Sequence, residues 1–153
     1  MKWLSFNCRG IANLPKKLAL RRLFESEPVD IIFLQETLGE ANQITHILGS
    51  LKPGWTFLSL DAVRRFGGLV LRFNPISIIL KSTWGGQGFI GINFFSACLS
   101  IDLRVINVYE PCQGHEDYWN RLVNLSITSS ENLIIGGDLN FSIGFSKSWG
   151  SST

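Results

Sequence analysis

Polar side chains stand at the ends of four apolar segments of this 153-residue chain. The segment "WLSFN" ends in Asn7, "IIFLQE" in Glu36 and "VINVY" in Tyr109, while "LIIGGDLN" carries Asp138 and Asn140. In α/β proteins, ligands bind outside the carboxyl ends of strands, where the loops diverge. If these four segments are neighbouring strands, we expect the five side chains to converge on one site.

Such a set of side chains suits phosphate chemistry. Carboxylate and amide oxygens favour Mg²⁺ or Mn²⁺, and a zinc site would need His or Cys ligands. Magnesium needs only one or two carboxylates, so a second carboxylate is free to orient or deprotonate an attacking water. Amides and a tyrosine hydroxyl can donate hydrogen bonds to phosphate oxygens. Metal-assisted hydrolysis of a phosphoester uses all five residues.

Each of these residues also has an ordinary structural interpretation. Asp and Asn are common turn formers after a strand, and Tyr109 is equally well explained as a core aromatic with its hydroxyl at the rim. Glu36 is the hardest to explain in this way, because a carboxylate at the end of a buried strand needs a partner or a cation. The coincidence of all five favours a functional site.

The elements that would position these residues predict one α/β domain over residues 1–153, with a mixed sheet or two stacked sheets flanked by helices. The rhythm of the first 36 residues favours a right-handed βαβ unit, and the middle of the chain favours antiparallel hairpins. We predict helices from Lys16 to about Ser26, from about Glu40 to Leu51, and from His115. The predicted strands are "KWLSFN", "VDIIFLQET", "WTFLSL", "GGLVLRF", "ISIILK", "GFIGINFF", "CLSIDLRVINVY" and "NLIIGGDLN".

Composition narrows the class of protein. A hydrophobic content of 45% argues against disorder, and a net charge of +2 neither requires nor excludes a nucleic-acid partner. Three unevenly spaced cysteines (Cys8, Cys98 and Cys112) predict a reducing compartment without disulfides or a structural zinc site. No signal peptide or bilayer-length apolar run is recognisable, so we expect an intracellular protein that does not enter membranes.

Five motifs carry a family resemblance: "LSFNCRG", "IIFLQET", "GGLVLRF", "INVYEPC" and "IIGGDLNF". In order and spacing they resemble the endonuclease/exonuclease/phosphatase superfamily, and most of all the apurinic-type endonuclease domains of plant non-LTR (LINE-type) retrotransposons. The resemblance runs from Lys2 to Gly150. It implies a four-layer α/β sandwich of the DNase I-like type, a Mg²⁺ or Mn²⁺ cofactor, and DNA as partner of a monomeric, nuclear protein.

The resemblance also implies roles for the five residues. Glu36 matches the metal-binding glutamate, and Asn7 the asparagine that supports the metal and the nucleophile. Tyr109 matches the tyrosine that contacts the scissile phosphate. Asp138 matches the aspartate that orients or activates water, and Asn140 the asparagine that stabilises the transition state.

Two positions depart from the family pattern. Arg9 stands where some repair enzymes carry an acid, and it could contact a phosphate. Family members also continue with a closing Ser-Asp-His motif, whereas the two histidines here, His46 and His115, lie in other regions. We therefore expect the chain to hold roughly the first two-thirds of the domain, incomplete at its C-terminus, with weak or no activity in isolation.

Basic residues outside the motifs give a weaker indication. Lys17 and Arg21 are candidate substrate-binding residues in a basic patch with Lys16 and Arg22, and Arg64 and Arg65 add a basic turn. Clustered cations suit DNA phosphates, but a solvated helix face explains the patch as well.

The leading hypothesis is a divalent-metal DNA endonuclease of the nicking type. The alternatives are a phosphatase acting on a non-nucleic-acid phosphoester, and a degenerate fragment that retains only nucleic-acid or metal binding.

Overall fold

Two four-stranded sheets organise the chain. They are observed in a computed structural model that describes residues 1–63, 66–110, 114–127 and 131–140. The elements within these ranges are β1 (Trp3–Asn7), α1 (Leu14–Ser26), β2 (Ile31–Gln35), α2 (Ala41–Leu51), β3 (Thr56–Val63), β4 (Phe66–Phe73), β5 (Ile78–Gly86), β6 (Phe89–Ser96), β7 (Ile101–Tyr109), α3 (His115–Asn124) and β8 (Leu133–Asp138).

The first sheet has the order β1-β2-β4-β3. Strand β2 is buried along its whole length, as its continuous apolar sequence predicts, and lies between β1 and β4. It pairs in parallel with β1, with Asn7 beside Gln35, and antiparallel with β4. The carboxyl ends of β1 and β2 therefore lie at the same edge.

The second sheet has the order β5-β6-β7-β8. Strands β5, β6 and β7 form an antiparallel meander, and β8 joins β7 in parallel after the α3 crossover. The register places Tyr109 beside Asp138 at the ends of β7 and β8.

Three apolar clusters hold four layers together. Helices α1 and α2 pack on the outer face of the first sheet through residues such as Leu20, Phe24 and Leu48. A second cluster, including Phe33 and Val105, fills the space between the sheets. Tyr118 and Leu122 of α3 pack on the outer face of the second sheet. The predicted α/β fold, two mixed sheets flanked by helices, is confirmed.

Some element boundaries differ from the prediction. Helix α1 begins at Leu14, two residues earlier than predicted, because the Asn13 side chain caps it by accepting a hydrogen bond from Lys16 N (3.0 Å), and Pro15 occupies its first turn. Strand β5 continues through Gly85 and Gly86, which resemble a turn in the sequence. None of the described helices is long and apolar enough to cross a membrane.

Some predicted features lie outside the described residues: the basic pair Arg64 and Arg65, the third cysteine Cys112, and the part of the "GGDLNF" motif beyond Asn140.

Candidate active site

The Asn7 side chain is the centre of the site. Its Nδ2 atom donates hydrogen bonds to Glu36 Oε1 (2.8 Å) and to Asp138 Oδ2 (2.6 Å). The Tyr109 hydroxyl donates to the same Glu36 oxygen (3.1 Å). All four side chains are half-buried. Two of them come from each sheet, so the predicted convergence occurs across the gap between the sheets.

Close backbone packing fixes Glu36. The residue follows β2 in a left-handed conformation (φ 51°), which is uncommon for a residue with a side chain. Gly67 of β4 lies against it, and a Cβ atom at Gly67 would come within 3.0 Å of both Glu36 Cα and Cγ. A side chain at Gly67 would therefore push Glu36 out of place, which explains the first glycine of "GGLVLRF".

Asp138 and Asn140 form a turn that is also part of the site. Asp138 is the last residue of β8, and its Oδ1 accepts a hydrogen bond from the Asn140 backbone N–H (3.0 Å). The Asn140 side-chain amide donates to the backbone carbonyl of Glu110, and Glu110 N donates to the Asp138 carbonyl (2.9 Å). The turn-forming and functional interpretations of these two residues are therefore compatible.

The basic candidates lie at different distances from this centre. Arg9 is next to it, since its backbone N–H donates to Asn7 Oδ1 (3.1 Å), and its side chain is exposed. Lys17 and Arg21 lie on α1, and in the described part of the chain neither hydrogen-bonds to a site residue. Their substrate-binding role stays a prediction.

Two buried amides beneath the site were missed in the sequence. Gln35 and Asn107 are 1% and 0% exposed. Gln35 Nε2 donates to Asn107 Oδ1 (2.7 Å), and Asn107 Nδ2 donates to the carbonyls of Leu34 (2.9 Å) and Val70 (2.8 Å). Asn107 belongs to β7 and its partners to β2 and β4, so this network joins the sheets.

A buried carboxylate on the other side of β7 was also missed. Glu110 is 0% exposed, and its Oε1 lies 2.7 Å from His115 Nδ1 at the start of α3. Its other oxygen, Oε2, has no hydrogen-bond partner among the described residues. Glu110 is therefore tied to Asp138 and Asn140 through its backbone and to His115 through its side chain.

Cys8, next to Asn7, is not equipped to act as a nucleophile. Burial raises the pKa of its thiol to about 12, an effect that Lys16 partly opposes and Glu36 reinforces. A thiol with so high a pKa remains protonated at neutral pH.

The donor set fits a hard divalent cation. Glu36, Asp138 and the Asn7 amide oxygen supply oxygen ligands only, and both carboxylates accept hydrogen bonds from the same nitrogen atom, Asn7 Nδ2. The described residues contain no group of three or more His, Cys, Asp or Glu side chains placed to hold a metal. This arrangement suits Mg²⁺, which keeps several waters, and does not suit zinc.

Comparison with known proteins gives a family and a shared fold. A profile of the endonuclease/exonuclease/phosphatase family matches residues 4–151. A search of curated proteins gives no match.

Three solved structures illustrate the likeness. The AP endonuclease LMAP from Leishmania major has 18% identity and a TM-score of 0.70, with 98% of this chain and 58% of that chain covered. TDP2 from D. rerio, complexed with a single strand DNA product, has 11% identity and a TM-score of 0.70, with coverages of 91% and 60%. The endonuclease domain of TRAS1, a telomere-specific non-LTR retrotransposon, has 12% identity and a TM-score of 0.65, with coverages of 92% and 61%. The chain thus spans about three-fifths of the length of each.

Proposed function

The chain belongs to the endonuclease/exonuclease/phosphatase family, and from that premise we propose that it carries the site of a divalent-metal-dependent phosphodiesterase that cuts DNA in the manner of a nicking endonuclease. One observation carries the proposal. The Asn7 amide donates hydrogen bonds to both Glu36 and Asp138, and the Tyr109 hydroxyl donates to the same Glu36 oxygen. The finer likeness, to plant LINE-type endonucleases, stays a prediction within this proposal.

The residues divide the chemistry between them. Glu36 and the Asn7 amide oxygen would hold Mg²⁺, which when bound would neutralise charge on the phosphate. Asp138 has both oxygens fixed, by Asn7 Nδ2 and by Asn140 N, so it is placed to orient an attacking water and accept its proton. The Tyr109 hydroxyl and the Asn140 amide would donate hydrogen bonds to a phosphate whose negative charge increases in the transition state.

DNA is the substrate that the surroundings favour. Arg9 projects from the loop that follows Asn7, and Lys17 and Arg21 continue the positive charge along α1. Clustered cations bind the phosphates of a nucleic acid backbone without reading its sequence. The likeness to the AP endonuclease LMAP and to TDP2 complexed with a single strand DNA product supports this choice. We include a nuclear location and a monomeric state in the proposal.

Two measurements test the proposal with matched carboxylate-to-amide variants. We expect weak Mg²⁺-dependent nicking of supercoiled plasmid, which Asp138→Asn should lower further, by up to on the order of 10²–10⁴-fold. Asp117→Asn, at an exposed position of α3, should leave the rate unchanged. By calorimetry, Glu36→Gln should abolish Mg²⁺ binding, whereas Glu25→Gln, exposed on α1, should preserve it.

The outcomes separate the alternatives. Release of phosphate from an inositol phosphate, without nicking, would replace the DNA proposal with a phosphatase. Mg²⁺ binding that depends on Glu36 but produces no hydrolysis of either substrate would identify a metal-binding fragment without catalysis. Identical Mg²⁺ heats for the wild type and Glu36→Gln would refute the metal site itself.

A further inference from the structure

Two amides lie inside the apolar space between the sheets, where polar groups are expensive unless they are paired. Asn107 is 0% exposed and lies on the same face of β7 as Val105, which belongs to the inter-sheet cluster with Phe33. The Asn107 amide is hydrogen-bonded at both ends: its oxygen accepts from Gln35, and its nitrogen donates to two carbonyls of the first sheet. Gln35 also donates to Ser5 Oγ on β1 (3.3 Å). The network therefore reaches three strands of the first sheet from one residue of the second.

These hydrogen bonds constrain the sheets in a way that apolar contacts do not. The attraction between apolar side chains depends on the area they bury and has little directional preference, so by itself it does not select one position of the first sheet over the second. A hydrogen bond weakens steeply with misalignment. Asn107 makes three bonds to fixed positions on β2 and β4. These bonds therefore define the offset between the sheets, that is, the position of one sheet relative to the other.

That offset is what brings the site together. Gln35 directly precedes Glu36, and Asn107 lies two positions before Tyr109 on the same face of β7. The bond between Tyr109 and Glu36, at 3.1 Å, joins the same two sheets one step closer to the rim. A sheet displacement of about an ångström would take both this bond and the Asn7–Asp138 bond beyond normal hydrogen-bond length.

We infer that Asn107 and Gln35 are positioning residues, which set the relative placement of Glu36 and Asp138 from beneath the site. The inference rests on the proposed function for its catalytic meaning, but its structural content can be measured separately. Removing the amides should loosen the site even where the fold remains stable.

The test uses the two tyrosines of the chain as reporters. Protein labelled with 3-fluorotyrosine should give one ¹⁹F resonance for Tyr109, assigned by its loss in Tyr109→Phe, and one for Tyr118. Tyr118 is the internal control, because it lies on the outer side of the second sheet with its hydroxyl bonded to Gly88 O (2.8 Å).

The variants separate stability from position. Gln35→Met removes the bonds to Asn107 and Ser5, Asn107→Leu removes the three bonds of Asn107, and the double variant replaces both amides by apolar side chains. Asn107→Leu alone leaves the buried Gln35 amide without its Asn107 partner. The double variant removes both amides, so it should recover stability that the single replacement loses. Ile92→Ala, fully buried in the same cluster, is the control for a weakened core without loss of an amide.

We expect Asn107→Leu and the double variant to shift and broaden the Tyr109 resonance, with Tyr118 unchanged, and to raise the Kd for Mg²⁺ about tenfold or more. Ile92→Ala should do neither. A double variant with recovered Tm, a wild-type Tyr109 resonance and wild-type Mg²⁺ affinity would show that the amides are only structural. If the wild type itself binds no Mg²⁺, the proposed function fails. The Tyr109 resonance of the variants would still show whether Asn107 and Gln35 position the site.

Discussion

At the scale of single residues, Asn7 carries out a task that usually falls to a cation. Each hydrogen of its amide is directed at a different carboxylate, Glu36 on one side and Asp138 on the other. The neutral Asn7 amide hydrogen-bonds to both carboxylates, but it binds each of them more weakly than a divalent cation would. In the proposed function, Glu36 would hold a divalent ion and Asp138 would orient a water.

The two described cysteines should differ sharply in reactivity. Cys8 is buried with the pKa of its thiol raised to about 12, whereas Cys98 is exposed. Because only the thiolate reacts, iodoacetamide at pH 8 should modify Cys98 readily and Cys8 hardly at all. Peptide mapping by mass spectrometry would measure both rates in one sample.

Denaturation supplies the control for this experiment. In guanidinium chloride the two sites should react at similar rates, since both thiols are then exposed to solvent. Equal rates in the native protein would contradict the burial of Cys8.

The sequence predicted the strand-end residues of the site but not the residues beneath them. Asn7, Glu36 and Tyr109 stand out because an apolar run stops at each. Asn107 lies inside "VINVY", and one amide among β-branched residues was a readable sign of a buried polar contact. Its partner could not be inferred, because pairing between sheets depends on a spatial offset that no local pattern encodes.

At the scale of elements, the start of α3 connects to the site through Glu110. The Glu110 carboxylate is buried beside His115, and its backbone holds Asp138 and Asn140. The sequence predicted that a helix begins at His115 but gave no role to its side chain. The half-exposed ring hydrogen-bonds to a buried acid, which gives it a structural role.

Replacing His115 should destabilise the protein more than its exposure suggests. His115→Ala removes the described partner of Glu110 Oε1 and leaves a buried carboxylate without compensation. We expect a loss of roughly 2 to 3 kcal/mol in the free energy of unfolding, measured by urea denaturation at neutral pH.

A second variant tests the cause of that loss. Adding Glu110→Gln to His115→Ala removes the charge and should recover part of the stability. An unchanged free energy of unfolding in His115→Ala would show that the pair contributes nothing.

Element boundaries were predicted well where the hydrophobic pattern was strong and poorly where glycine or proline intervened. Asn13 and Pro15 resemble a loop, yet they begin α1 as its cap and its first turn. Gly85 and Gly86 resemble a turn, yet they extend β5, where the Trp84 ring packs 5.9 Å from that of Phe89. At Gly85 and Gly86 the outcome depends on neighbours in space, whereas the start of α1 is set locally by Asn13 and Pro15.

At the scale of the whole molecule, the sheets approach closely at Gly136 of β8. A Cβ atom there would lie 2.7 Å from Phe33 Cδ2, and Phe33 is 1% exposed between the sheets. Gly136→Ala should therefore force the sheets apart locally and cost roughly 1 to 3 kcal/mol in the free energy of unfolding. Thermal or urea unfolding would measure the loss.

A double-mutant cycle identifies the contact responsible. Phe33→Leu shortens the opposing ring and should make Gly136→Ala less costly than it is in the wild type. Additive effects of the two substitutions would mean that this contact does not limit the spacing of the sheets.

The hydrogen bonds of Asn7 also imply an order of events during synthesis. Its two partners lie 29 and 131 positions further along the chain. The nearer contact can form once β2 has left the ribosome, since closing a short loop costs little entropy. The farther one must wait for β8. A nascent chain would thus carry the proposed metal-binding carboxylate well before the aspartate that would orient water, and the proposed site could be complete only after β8 has emerged.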